Sequence, residues 1–479
     1  MFDVRKTVSS LSLILAGMLT ASAAFAESTN VSEALLRNFP VEEAALSPAV
    51  PAPKKVIVVG AGAAGLAAAR ILSDQGVETV VLEAGDRIGG RAWTADLNGH
   101  PVDMNGGFIH DLDINPLIPT FQQLGLKYTV LGSLADPSVG AYDAETGETL
   151  GLIGKARFVY HMYKYFGGPE PVPKAGADDY PIEQWMKSYV NDAELEGVDG
   201  HLIESLLRTM QSTDGSDYSM HWSRSLPVGG DEEVALPENG YAPFMHKLGD
   251  GLDIRLKHPV TRIIQSGDGV RVFAGGESFS GTHVLVTVSV GVLKKGLIEF
   301  EPSLPQAKVQ AIESAGMSNM EKLVYLFDDK DAESLDFTTE VYSDSRTGVR
   351  ITFVNISEQI TKPSVAAIVH TDYVEKFSKL SQEDGSKLVL SALRQMTGHV
   401  DLTPKRVVQS DWTNNPFYKG AYSYIRVGSG PENIQALASP IFDGRVLFAG
   451  EATDVKRHQY VDGAVSSGVR EARRLLRSK

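Results

Sequence analysis

Lys54 to Arg91 reads KKVIVVGAGAAGLAAARILSDQGVETVVLEAGDRIGGR. Val56 to Val59 is a run of four β-formers, short enough for a buried parallel strand. Gly60, Gly62 and Gly65 then fall in the pattern G-x-G-x-x-G. Ala61 to Leu72, which includes Ala63 and Ala64, is rich in Ala and Leu and predicts a helix. Gly76 ends the helical region. Thr79 to Leu82 is a second β-rich run, followed by Glu83 and Ala84.

Strand, Gly-rich turn, helix, strand and acid is the order that a dinucleotide site requires. Gly60 permits the tight turn, Gly62 lets a pyrophosphate approach the backbone, and Gly65 lets helix and strand pack closely. The helix N-terminus offers N–H groups and a partial positive charge to phosphates. Glu83 stands where an acid accepts ribose hydroxyls. An acid there opposes the 2′-phosphate of NADP, which favours a base.

The chain has 479 residues, which predicts two domains rather than one core. Hydrophobic and charged fractions are those of a soluble globular protein. The formal net charge of −15 opposes nucleic-acid binding and suits a small cationic substrate. The absence of cysteine excludes disulfides, thiolate catalysis, Cys-ligated metals and any cofactor linked through a thioether; no metal site is expected.

Arg5 and Lys6, a mostly apolar run from Val8 to Thr20, and Ala24-Phe25-Ala26 have the layout of a secretory signal peptide over residues 1–26. The protein is therefore expected to be exported, periplasmic or secreted, without stable membrane insertion. The general secretion route is expected, with the cofactor captured after export. Residues 27–53 end in Ser-Pro-Ala-Val-Pro-Ala-Pro and predict a stiff linker, with the folded body starting near Lys54. Ala95 to Asp103 predicts a hairpin through Asn98-Gly99, and Lys155–Phe166, Ile182–Val190 and Gly200–Gln211 predict helices. The first of these interleaves basic and aromatic residues and is read as a substrate-domain helix, with a membrane-facing role as the alternative. Asp231-Glu232-Glu233 is either a solvated loop or an attractor for a polycation.

Glu83-x-x-x-Arg87-x-Gly89-Gly90-Arg91 after such a unit resembles the FAD domain of the flavin amine oxidase family, which includes monoamine oxidases, polyamine oxidases and flavin-dependent histone demethylases. Arg91 beside a pyrophosphate would neutralise its charge. Asn105-Gly106-Gly107-Phe108-Ile109-His110 resembles the segment in which a Gly pair packs on the flavin and a His or Glu faces the substrate. The family usually has Gly next; this chain has Asp111. Pro259-Val260 and Val284 to Leu293 resemble a second FAD-contacting block, with Val260 on the adenine side. Met317 to Val324 places Lys322 where the family holds a water to flavin N5. Trp412, then Gly420-Ala421-Tyr422-Ser423-Tyr424, is a third block, with Trp412 walling the cavity. Gly450-Glu451 and Tyr460-Val461 belong to the fourth, a second FAD clamp. Tyr422 and Tyr460 fall on the family's aromatic-cage positions, where π faces hold an amine.

The resemblance covers Lys54 to the C-terminus. It implies an α/β flavoprotein of two domains, a discontinuous Rossmann-like FAD-binding domain (54–110, 246–300, 426–479) and an α+β substrate-binding domain (111–245, 301–425). The implied reaction is oxidation of a primary or secondary amine to an imine. The imine hydrolyses to aldehyde and amine while O2 becomes H2O2. FAD should be non-covalent, since Ala421 stands where covalent members carry Cys. Lys322, Tyr422, Tyr460, His110 and Trp412 are the expected catalytic-site residues. A polyamine is the leading substrate. A monoamine or L-amino-acid oxidase, a dehydrogenase using a carrier protein, and a non-enzymatic FAD-binding module stay open.

Overall fold

A computed structural model describes residues 30–133, 139–167, 179–193, 195–211, 216–225 and 233–477. The expected signal peptide, Asp231 and Glu232 lie outside the described residues.

The β-run at Val56 forms strand Lys55–Val59, at the centre of a five-stranded sheet. The strand order is Val446–Phe448, His283–Val286, Lys55–Val59, Glu78–Leu82, Asp253–Arg255, all parallel. Such a sheet must be covered on both faces. Helices Ala63–Asp74 and Val461–Leu476 cover one face, and the approach between them is close. A Cβ on Gly468 would lie 2.2 Å from the Ala64 carbonyl oxygen. A four-stranded sheet containing Val260–Ser266 and Gly269–Ala274 covers the other, burying Ile263 and Val272 against Ile57, Val80 and Phe448.

The second unit is built on a six-stranded sheet. Its order is Arg406–Gln409, Glu321–Leu326, Ser364–Val369, Val349–Asn355, Thr339–Asp344, Gly140–Asp143. All pairs are antiparallel except the last. Helices Leu152–Gly167, Ile182–Asp192 and Gly197–Gln211 pack beside it. Helix Leu152–Gly167 buries Phe158 and His161 but leaves Leu152, Ile153 and Tyr160 exposed.

The hairpin forms as expected, Thr94–Leu97 with His100–Asp103, and Asn98 and Gly99 both have positive φ. The linker expectation for 27–53 is corrected. Helix Val31–Asn38, capped by the Asn30 side chain, buries Ala34 and Leu35 in the same core as the Gly-rich helix. Arg474 donates to the carbonyls of Ala45 (2.6 Å) and Pro48 (3.0 Å) while paired with the buried Glu471. The four prolines that follow it masked a short amphipathic helix of about two turns with a proper cap. The expected domain boundary at 111 also shifts. Leu117, Phe121 and Phe244 pack in the nucleotide-unit core, because helix Leu117–Gln123 turns its apolar face that way.

Candidate active site

The sheet's strands Lys55–Val59, Glu78–Leu82, His283–Val286 and Val446–Phe448 end on the same edge, and the loops after them line one cavity of about 310 Å³. Ligands of open α/β sheets bind outside the carboxyl ends of the strands. Gly60, Gly62, Ala63, Ala64, Glu83, Ala84, Arg91, Gly106, Val260, Gly450, Glu451, Tyr460 and Val461, all expected to contact a cofactor, line this cavity, and Tyr422 joins them.

The three glycines do different things. Gly60 has φ +109°, and Gly65 passes so near the turn that a Cβ would lie 2.0 Å from the Gly60 oxygen. Gly62 lines the cavity, and a Cβ there would meet no protein atom within 4 Å. That open backbone stands at the N-terminus of helix Ala63–Asp74. The C-terminal helix brings Tyr460, Val461 and Ala464 to the same space. Two helix N-termini therefore face one cavity, the arrangement a pyrophosphate and an electron-rich ring would use. The residues present fit FAD.

Glu83 is buried, and both its oxygens accept backbone N–H groups, from Ala61 at 2.8 Å and Gly85 at 2.7 Å. Each carboxylate oxygen keeps a further lone pair for a ribose hydroxyl. Arg91 pairs with Glu451 at 2.8 Å, and Ser423 and His458 extend this network, with Ser423 Oγ donating to Glu451 and lying 3.0 Å from His458 Nε2. Burial would raise the Glu451 carboxyl, but Arg91, His458 and Ser423 together hold it below its ordinary value. Arg87 is not on the cavity wall. It donates to the Gly90 carbonyl (2.8 Å) and lies over the Trp93 ring, so it clamps the loop that presents Arg91.

On the side of the cavity where the cage was expected, Tyr460 stands just before the C-terminal helix and Tyr422 opens strand Tyr422–Ile425. His110 ends strand Ile109–His110, and its ring centroid is 4.8 Å from that of Tyr460. Burial pushes the imidazole down to about 4, with Asp111 opposing and Arg457 reinforcing the shift, so it is neutral at physiological pH. Lys322 lies in strand Glu321–Leu326 and donates from Nζ to the Asp103 carbonyl at 2.7 Å. Burial lowers the affinity of the Lys322 amine for its proton, and the Asp103 carboxylate opposes this. Burial also raises Asp103 itself to about 6, against hydrogen bonds from Thr94 and Tyr241 and the charge of Lys322.

Five expected site residues are not on the cavity wall. Gly65 packs underneath it, as its Cβ test shows. Gly107, His110 and Lys322 stand back from it, Lys322 being tied to the backbone that leads to Asn105 and Gly106. Trp412 is corrected from wall to support: it is 2% exposed and packs edge-on against Trp93 and Tyr418, and Tyr418 is what lines the cavity. Bulk buried this indole behind a smaller aromatic layer.

Sequence reasoning missed four contributors. Thr287 Oγ1 donates to the carbonyls of Val59 (2.9 Å) and Gly60 (3.2 Å) and locks the Gly-rich turn; it was legible only as the end of a β-run. Asn105 Nδ2 donates to the Ala421 carbonyl at 3.1 Å. Tyr218 is buried, and burial first, then the fields of Tyr460 and Tyr422, raise its phenol. Arg457 lies with its guanidinium 4.7 Å from the Tyr460 ring centroid. No local pattern announced the last two.

Residues 63–476 match the flavin containing amine oxidoreductase family, and the chain belongs to it. Its mixed α/β fold has the two-domain architecture of that family. Probable polyamine oxidase 4 of Arabidopsis thaliana is 30% identical over 441 residues, covering 86% of this chain and 85% of that protein. Lysine-specific histone demethylase 1 homolog 1 of the same plant is 33% identical over 478 residues, covering 93% of this chain but 54% of that protein. This chain thus spans about half the length of its demethylase relatives. A structure of putrescine oxidase bound to putrescine shares the fold, with a TM-score of 0.70 at 20% identity, covering 88% of this chain and 99% of that one.

Proposed function

We propose that the protein is an exported polyamine or diamine oxidase that binds FAD without a covalent bond. The observation that carries this reading is the single cavity that joins the Gly60–Gly65 turn and Glu451 to Tyr422 and Tyr460. Gly62, Glu83, Arg91 and the two helix N-termini would hold the dinucleotide. No cysteine exists in the chain, and Ala421 lines the cavity, so no thioether anchors the ring. When bound, the flavin accepts a hydride equivalent from the carbon next to nitrogen and returns the electrons to O2, giving H2O2.

The chain's own residues orient, desolvate and manage protons. The π faces of Tyr422 and Tyr460 would flank the amine. His110, with a pKa of about 4, is too weak a base to deprotonate an alkylammonium. Its neutral ring instead accepts a hydrogen bond and fixes orientation. Lys322, whose Nζ donates to the Asp103 carbonyl, would support water or O2 chemistry from behind the cavity wall. An L-amino-acid substrate is disfavoured by one observation: Arg457, the guanidinium against Tyr460, is already engaged by Asp111 and Asp462.

Anaerobic titration of the purified holoenzyme with putrescine, spermidine, spermine, a monoamine and amino acids tests this. Bleaching of the flavin by a di- or polyamine, with rapid recovery and peroxide on admitting air, is expected. Bleaching without recovery would mean a dehydrogenase, and no bleaching by any amine would reject the substrate reading. Secretion is tested separately: loss of residues 1–26 from the exported protein, by N-terminal sequencing, is the expected result.

A further inference from the structure

We propose that Asp111 and Asp462 set the charge preference of the substrate site by sequestering Arg457 behind Tyr460. The inference rests on the amine-oxidase reading above. Arg457 donates from Nη1 to Asp111 Oδ2 at 2.6 Å, from Nε to Asp462 Oδ2 at 2.5 Å, and from Nη2 to the His110 carbonyl at 3.4 Å. The three side chains are 13%, 8% and 3% exposed for Arg457, Asp111 and Asp462, so this is a buried triad. It lies against Tyr460 through the guanidinium and holds the His110 backbone through Nη2.

Asp111 holds φ +54°, a left-handed conformation that L side chains adopt at a cost. The family resemblance places Gly here. An aspartate in a glycine's backbone position needs a compensating contact, and the ion pair with Arg457 is that contact. The outcome is electrostatic as well as steric. One guanidinium faces two carboxylates, which leaves an excess of negative charge next to the cage when both are ionised. A carboxylate entering the site finds its natural partner occupied and a like charge nearby. An alkylammonium finds the opposite. Asp111 and Asp462 act through Arg457 and the rings it supports, so they are positioning residues rather than catalytic ones.

The test compares the parent holoenzyme with D111N, D462N, R457M and the double variant D111N/R457M. Two ligands are read on each: benzoate, by perturbation of the flavin absorbance, and putrescine, by the concentration dependence of anaerobic flavin reduction. D111N is expected to weaken putrescine about tenfold and to tighten benzoate several-fold, as a charge pair released beside the site allows. The benzoate gain should vanish in D111N/R457M, since the freed guanidinium is its cause. Equal changes for both ligands, or a benzoate gain that survives loss of Arg457, would overturn the proposal, because a general loosening of the site moves both ligands together. Should D111N fail to retain flavin, D111G removes the same carboxylate while suiting the left-handed backbone, and the same opposite shifts are expected. If no amine reduces the parent flavin, the functional reading fails, but benzoate titration of the same variants still decides the charge preference.

Discussion

The two halves of the site are built differently. The nucleotide side is made largely of backbone, Gly60, Gly62, Gly450 and two helix N-termini fixed by a parallel sheet, to which Glu83, Arg91 and Glu451 add charge. The proposed substrate side is made of side chains, Tyr422, Tyr460, His110 and Lys322, delivered by four separate elements. A backbone site tolerates almost no change where chains touch and much change elsewhere. A side-chain site degrades by increments, because each ring or charge contributes its own share.

Gly65→Ala should break the backbone half outright. Its Cβ would sit 2.0 Å from the Gly60 oxygen, an overlap that neither turn nor helix can absorb. The expected result is protein without flavin, read as the ratio of flavin to protein absorbance. Lys322→Met should leave flavin content intact and slow turnover or flavin reoxidation about a hundredfold, within the range for a positioned proton-managing group. Stopped-flow mixing of reduced enzyme with O2 measures it. Tyr460→Leu should raise KM for a cationic amine about tenfold, the loss of one desolvated cation–π contact, with the rate of reduction at saturation falling less. If Lys322→Met or Tyr460→Leu instead strips the flavin, the division between the halves is wrong.

The smallest effect concerns pH. The folded pKa of His110, about 4, lies below the unfolded value of 6.5, so the unfolded chain binds more protons between these limits. The stability that neutral His110 supports is complete above pH 6.5 and is lost as pH falls towards 4. Asp103, raised from 3.8 to about 6, acts with the opposite sign in an overlapping window. Parent minus His110→Gln isolates the first contribution. That difference should shrink by on the order of 1 kcal/mol from pH 7 to pH 4, after allowance for partial solvent screening, as read from urea melts. A flat difference would show that His110 is not held neutral by burial.

The same division explains what was legible. Gly60, Gly62, Gly65 and Glu83 are close in sequence, and strand–turn–helix context gives them meaning without any knowledge of distant residues. Tyr422, Tyr460 and Lys322 were singled out only through resemblance, since nothing local distinguishes a tyrosine on a cavity wall from one in a core. Trp412 was misplaced because burial depth is set by tertiary packing against Trp93 and Tyr418. Arg457 was silent for the same reason: Asp111, one of its two carboxylate partners, is remote in sequence. The helix at Val31 was overlooked because proline content dominated the reading of its neighbourhood.

That N-terminal helix has a consequence for biogenesis. Arg473 and Arg474, in the last turns of the C-terminal helix, hold the carbonyls of Leu36, Ala45 and Pro48. The C-terminal helix also packs on the helix that follows the first strand. Helix Val31–Asn38 and the Gly-rich helix thus depend on helix Val461–Leu476 before their common core can close. Contacts of such high sequence separation slow folding and leave apolar surface open while the chain is incomplete. Removing the last two turns of the C-terminal helix should therefore leave the nucleotide unit unfinished.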